Sequence, residues 1–301
     1  MAVFNAIFPV FAIIASGVCL AKFGFLTDLQ FNGLSKLTYW IGLPCFLFIK
    51  IATVSPGHAG ASKIFLIVLL AMFGSISIAY FICWTLRLKP ASTAAFVQAA
   101  FRGNLSFIGL PVVVYSSTTE ETEALAILAL ATIVPIYNVF SVLVLLGRKH
   151  FGLETGKRIV LQIITNPLLI GCALGLTFSF FSLELPLFLT RTLTAIGQMS
   201  LPLALFSIGG SLAITRVDNF KHATLAAIIK TIFTPLFGFW LMTLVPVSAQ
   251  EAKLTLILLA CPTAAISYVM AAQLKADKSI AAGAVLISAI LGMVSLSLAM
   301  L

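Results

Sequence analysis

"AAFRGNLSFIGLPVV", residues 99–113, sets an arginine, two glycines, an asparagine and a proline into an apolar stretch about one bilayer thick. A helix that unwinds in hydrocarbon leaves backbone N–H and C=O groups unpaired, at a cost of several kcal/mol each. Such a break is tolerated where protein or a water-filled cavity supplies the missing partners. The stretch therefore predicts a transmembrane helix broken near mid-depth and lining a cavity.

The composition around it agrees. Hydrophobic residues make up 61% of the 301-residue chain and charged residues 9%, against roughly 45–50% and 25% in soluble proteins. The fold class expected is an all-α integral membrane protein. Apolar windows long enough to cross a bilayer, about 20 residues each, recur along the whole length. Cutting at charged and Gly/Pro/Ser loops gives ten spans, near 3–21, 32–54, 64–86, 93–117, 124–147, 159–181, 187–214, 222–245, 251–273 and 279–300. Residues 1–21 read as the first span and not as a signal peptide, because no basic residue precedes Lys22 and no A-x-A site follows in a polar context.

The net charge of +9 comes from 18 Lys and Arg spread through short loops, with no basic patch for a nucleic-acid partner. Topology accounts for them. Lys22, Arg87, Lys89, Arg148, Lys149, Lys157, Arg158, Arg216, Lys221, Lys275 and Lys278 fall on one face. The other holds Lys63, Lys253 and the acidic Glu120, Glu121 and Glu123. The basic face is cytoplasmic by the positive-inside rule, which places both termini outside a plasma membrane, the inner membrane of a bacterium. Cys19, Cys45, Cys83, Cys172 and Cys261 sit in apolar segments without a CxxC spacing, and His58, His150 and His222 lie at loops. Neither set suggests a metal site, and no cofactor is expected.

An internal repeat sets the architecture. At an offset of 158 residues Pro9 meets Pro167, Gly17 meets Gly175, "LPCFLF" (43–48) meets "LPLALF" (201–206), Lys63 meets Lys221 and Asn104 meets Pro262, with no gap. The halves are then 1–147 and 159–301, joined by a cytoplasmic linker at 148–158. Five spans per half is an odd number, so the second half enters the membrane inverted. Inverted repeats characterise secondary transporters, whose sites lie at mid-membrane where matched helices are broken. Here the fourth span breaks at Gly103 and Asn104, and the ninth at Cys261, Pro262 and Thr263.

If the broken helices cross, their half-helix N-termini suit a carboxylate or similar anion, with Asn104 and Thr263 adding neutral hydrogen-bonding groups. Arg102 and Lys230 are the cations nearest hydrocarbon depth, and no Asp or Glu lies deep in a span. The missing acid argues against tight cation coupling. The candidate substrate-binding residues are Arg102, Gly103, Asn104, Asn138, Pro262, Thr263 and Lys230. Each has a plainer reading: Asn104 and Asn138 as interhelical hydrogen bonds, Arg102 as a partner of backbone carbonyls, Lys230 as a snorkelling side chain. Pro44 and Pro202 read as kinks.

The ordered set "IFPVFAIIASGVCLAKFGFL", "LTYWIGLPCFLF", "RGNLSFIGLP", "TNPLLIGCALGL", "LPLALFSIGGSLA", "KTIFTP" and "ACPTAAISYVMA" resembles the auxin efflux carrier family, the bacterial relatives of the plant PIN-FORMED transporters, over essentially the whole chain. The resemblance implies ten helices in two inverted five-helix repeats, a scaffold and a transport domain, and an elevator-like or rocking step. It implies an organic-anion substrate such as auxin, malate or malonate. It places Asn104 at the crossover asparagine and Pro262 at the ninth-span break. The long cytoplasmic loop of the plant carriers is missing, which counts against auxin itself.

The function expected is thus a secondary carrier of small organic anions, with lipid around it and a homodimer among the assemblies open to it. A sodium-coupled symporter resembling the bile-acid carriers is the alternative, and a channel is a third reading. An intramembrane enzyme would need a nucleophile and base, paired acids or a metal motif, and the spans contain no HExxH, no GxxxxGK[ST] and no deep Asp.

Overall fold

The computed structural model of the chain describes residues 2–52, 60–117, 119–146, 157, 161, 164–214 and 219–301. Among them the regular structure is helical throughout. In chain order the helices are α1 (Ala2–Lys22), α2 (Asp28–Leu37), α3 (Leu43–Ala52), α4 (Gly60–Thr85), α5 (Pro90–Phe101), α6 (Leu110–Ser116) and α7 (Glu120–Leu146). Then follow α8 (Pro167–Phe180), α9 (Leu187–Ile214), α10 (Phe220–Ile228), α11 (Thr234–Leu244), α12 (Ala249–Ala260), α13 (Ile266–Gln273) and α14 (Lys278–Ala299). The linker expected at 148–158, apart from Lys157, and most of the start of the sixth span lie outside the described residues.

Among the described residues six helical stretches are long and apolar enough to cross a bilayer: Asp28–Ala52, Ala61–Thr85, Glu120–Leu146, Leu187–Ala213, Phe220–Leu244 and Lys278–Ala299. Shorter apolar helices cover Ile7–Lys22, Leu105–Ser116 and Pro167–Phe180. The fourth and ninth expected spans are each two half-helices, separated at Arg102–Asn104 and at Cys261–Ala265. Some helices start earlier than hydropathy alone suggests, because polar residues cap them. At α2 the Gln30 side chain accepts from the Thr27 N–H at 2.7 Å, and Asp28 sits in the first turn, where a negative charge suits the helix dipole. Pro90 opens α5 at a position where its missing N–H costs nothing.

Among the described residues three helical runs widen into a π-turn, over Thr38–Gly42, Leu105–Gly109 and Ile229–Phe233. Each ends two residues before a proline, Pro44, Pro111 or Pro235. Proline has no N–H to give and its ring presses on the carbonyl four residues back, which a wider turn relieves; Pro9, Pro135 and Pro202 are accommodated within regular α-helix instead. Pro235 frees the Thr231 carbonyl, and the Ser295 hydroxyl donates to it at 2.5 Å.

Close helix contacts repeat at the 158-residue offset seen in the sequence. A methyl group added to Gly17 would strike the Phe206 carbonyl, and one added to Gly175 would lie 3.0 Å from the Phe48 carbonyl. Both members of the second contact are 158 residues from their counterparts in the first. Gly209 likewise abuts Gly17, as Ile51 abuts Gly175. Gly42 faces its own counterpart, Ser200, whose Cβ would be 2.7 Å from an added methyl. Helix boundaries keep the offset too: α1 ends at Lys22 and α8 at Phe180, α7 begins at Glu120 and α14 at Lys278. Outside this packed interior, Trp84, Phe239, Ile290 and Val294 expose more than half of their surface, as side chains facing lipid do.

Candidate substrate site at the helix crossing

Where α5 and α12 end, the two unwound segments pair with each other. Gly103 and Thr263 form an antiparallel bridge. The Asn104 N–H donates to the Pro262 carbonyl at 2.7 Å and the Ala264 N–H to the Arg102 carbonyl at 2.9 Å. These bonds replace helix bonds that the breaks remove, which is how the backbone survives at this depth. Asn104 and Pro262 are themselves counterparts under the 158-residue offset. Gly103 is closely approached: an added Cβ would lie 3.0 Å from Lys230 Cε and 3.2 Å from Leu105 Cδ2, so both side chains would have to give by a few tenths of an ångström. Pro262 takes a position whose N–H would have had no helical acceptor, and its ring packs on Gly292.

The ends of the half-helices are closed by side chains. The Thr263 hydroxyl donates to the Ala99 carbonyl in the last turn of α5 at 2.9 Å. The Thr263 N–H donates to Ser288 Oγ at 2.9 Å. Lys230 Nζ donates to the Leu259 carbonyl in the last turn of α12 at 2.6 Å. The first-turn N–H groups after each break have no acceptor within their own helix.

A cavity of about 90 Å³ opens on one side of the crossing, lined in part by Tyr39, Arg102, Asn104, Ser106, Tyr137 and Asn138. Arg102 is 6% exposed. Its Nη2 donates to Asn138 Oδ1 at 2.5 Å and its Nη1 to Met270 Sδ at 2.6 Å. Among the described residues no carboxylate lies within ion-pair distance of it; Lys50 pairs with Glu123 at 2.7 Å elsewhere. The Asn104 side chain, 5% exposed, lines the cavity without a hydrogen-bond partner among the described residues. The buried Tyr137 hydroxyl is also unpartnered. Gln98, fully buried one turn before Arg102, reaches Met270 Sδ at 3.7 Å.

Residues 2–300 match the membrane transport protein family, the auxin efflux carriers. The chain belongs to that family. It is also similar to an uncharacterized transporter of Methanocaldococcus jannaschii, 24% identical over 281 residues, covering 88% of this chain and 87% of that one. This membrane transport protein is therefore a multi-pass helical protein of the membrane.

Of the residues singled out in the sequence, Arg102, Gly103, Asn104 and Asn138 border the cavity of this transport protein. Pro262 and Thr263 spend their polar atoms on holding the crossing. Lys230 touches the crossing at Gly103 but is committed to the end of α12. Sequence reasoning passed over Tyr39, Ser106, Tyr137 and Met270. Tyr137 had a signal, a phenol two residues after Pro135 in mid-span. Met270 had none, since a thioether in an apolar helix looks like any core residue.

Proposed function

We propose that this membrane transport protein is a secondary carrier of small organic anions, carboxylates such as malate or malonate, working by alternating access and without covalent chemistry. The observation that carries the reading is Arg102: a guanidinium 6% exposed, bordering a cavity and facing no carboxylate of its own. A buried charge without a counter-charge is costly, and a bound anion would supply the missing partner. Asn104, Tyr137 and the first-turn N–H groups at 105–107 and 265–266 offer neutral donors around the same space. A carboxylate entering there meets one cation and several dipoles and no opposing acid.

The repeated contacts at the 158-residue offset support two five-span repeats, 1–147 and 159–301, related by an approximate two-fold through the Gly42–Ser200 and Asn104–Pro262 contacts. With an odd number of spans in each, the halves are inverted and both ends of the ten-span chain lie outside the plasma membrane. Alternating access then amounts to one set of helices moving relative to the other about the site.

The test is counterflow in liposomes containing the purified protein. Preloading with unlabelled malate or malonate should accelerate uptake of the labelled acid, and uptake should saturate. Uptake that is linear in concentration and unaffected by preloading, with ohmic current, would mean a channel and refute the carrier reading.

A further inference from the structure

Lys230 is a second buried cation, and the anion cavity does not use it. Its side chain is fully buried. Among the described residues no carboxylate lies within ion-pair distance. Nζ donates to the Leu259 carbonyl, and Cε and Nζ would lie 3.0 and 3.4 Å from a Cβ on Gly103. The ammonium therefore sits between the C-terminal end of one half-helix and the unwound backbone of the other. Such a place, at the negative end of a helix dipole, beside a terminal carbonyl and with no acid among the described residues, is where inverted-repeat carriers hold a coupling cation.

The backbone is shaped around it. Lys230 lies in the π-turn over Ile229–Phe233, just ahead of Pro235, and Thr234 Oγ1 and Ser295 Oγ occupy the carbonyls of Ile229 and Thr231. At the same position of the other half, 158 residues earlier, stands Met72, fully buried in the regular helix α4, with Ser77 in place of the proline. The charge and the widened turn thus belong to one half alone.

We propose that the Lys230 ammonium is a tethered stand-in for a coupling cation, holding the end of α12 at the crossing where a mobile sodium ion would otherwise be needed, and so making transport independent of sodium. The proposal rests on the carrier reading. The stability arm of its test needs no substrate, so it can fail or hold separately from the anion site.

Lys230→Ala removes four side-chain atoms and opens a space large enough for a small cation beside the Leu259 carbonyl. Methylammonium and sodium, but not tetramethylammonium, should raise the unfolding temperature of the purified variant and leave the wild type unchanged, as ligands of the folded state do. In liposomes, malonate counterflow by the wild type should be the same in sodium and in choline. In Lys230→Ala it should fall about tenfold or more in choline, the loss expected for a charged hydrogen bond, and an inward sodium gradient should then drive accumulation. Lys230→Met, which places the Met72 side chain there, should fold and remain slow in every salt. Wild-type transport that requires sodium, wild-type rates in Lys230→Met, or a Lys230→Ala protein that no small cation stabilises would each overturn the proposal. So would stabilisation by cations whose gradient does not drive transport, because Lys230 would then be a structural cap alone.

Discussion

Replacing Arg102 by glutamine separates the cost of its charge from its use. The guanidinium is 6% exposed, is held by Asn138 Oδ1 and Met270 Sδ, and has no carboxylate within ion-pair distance among the described residues. In the empty protein it is a buried charge whose desolvation is repaid by one amide and one thioether, so Arg102→Gln should leave stability unchanged or raise it. For a bound carboxylate the same change removes a charge-assisted hydrogen bond of about 1.5–3 kcal/mol. At 1.4 kcal/mol per decade that is a loss of roughly ten- to 150-fold in affinity. A neutral isostere of the same acid, its amide or methyl ester, should lose about threefold or less, because glutamine still offers a hydrogen bond. Competition against labelled malonate counterflow measures the affinities, and thermal unfolding in detergent measures stability. If Arg102→Gln unfolds earlier than the wild type and weakens acid and amide equally, the guanidinium is a structural group and the reasoning from its missing counter-ion fails.

Asn104→Ala removes an unpartnered amide from the cavity wall, and should weaken carboxylate binding by about 0.5–1.5 kcal/mol, or two- to twelvefold, with no loss of stability; unchanged affinity for every acid would move the site elsewhere. Gly209→Ala presses a methyl group onto the Ile14 carbonyl and should cost about 1–3 kcal/mol of stability. Gly33→Ala in α2, with nothing within 4 Å of the added carbon, should instead stabilise by roughly 0.5–1 kcal/mol; parallel thermal melts compare the two. In a cysteine-free background, an impermeant thiol reagent applied to whole cells should label a cysteine at Thr119 and spare one at Lys89, both exposed positions, and the reverse pattern would invert the topology.

The breaks were legible because Gly103, Asn104 and Pro262 are residues a continuous helix in lipid would avoid, and each lies where the helix is interrupted. The 158-residue offset of the close contacts was legible because Pro9, Gly17 and the LP motifs, residues that set close approach and bending, recur at that spacing. The way the interrupted segments satisfy one another was not. Which N–H meets which carbonyl at Asn104 and Pro262 depends on two chains of residues 158 apart coming together, and pattern carries no distance information of that kind. The roles of the two cations were hidden for a similar reason. Arg102 and Lys230 look alike in an apolar sequence, yet one borders a cavity and the other, in the π-turn ahead of Pro235, closes a helix end. A proline two residues on accompanies each described π-turn, but Pro9, Pro135 and Pro202 sit within regular α-helices, so a proline alone does not mark one. Pro44 and Pro202 both read as kinks, and only the first follows a π-turn, because i+5 widening and simple bending share the same local signal.

If the cavity is shaped to take an anion, supplying a negative charge from within should satisfy Arg102 and silence transport. Asn138 is placed for this, since its Oδ1 already accepts from Arg102 Nη2 at 2.5 Å. Asn138→Asp is nearly isosteric and converts that contact into a charge-assisted one, roughly twice as strong as a neutral hydrogen bond. The carboxylate would be buried, but its partner is a cation already buried and already paid for in desolvation, so the net effect on folding should be favourable. Carboxylate substrates would then meet a neutralised guanidinium and a fixed negative charge at the same wall, losing at least the 1.5–3 kcal/mol of the Arg102 contact, about tenfold or more in affinity. The variant should melt at a higher temperature and give no carboxylate counterflow at concentrations that saturate the wild type. Adding Arg102→Gln to it should bring stability down, because the new acid would lose its only cation, without restoring transport of acids. Wild-type malonate counterflow in a well-folded Asn138→Asp protein would mean that the substrate never approaches Arg102, whatever the cavity beside it resembles.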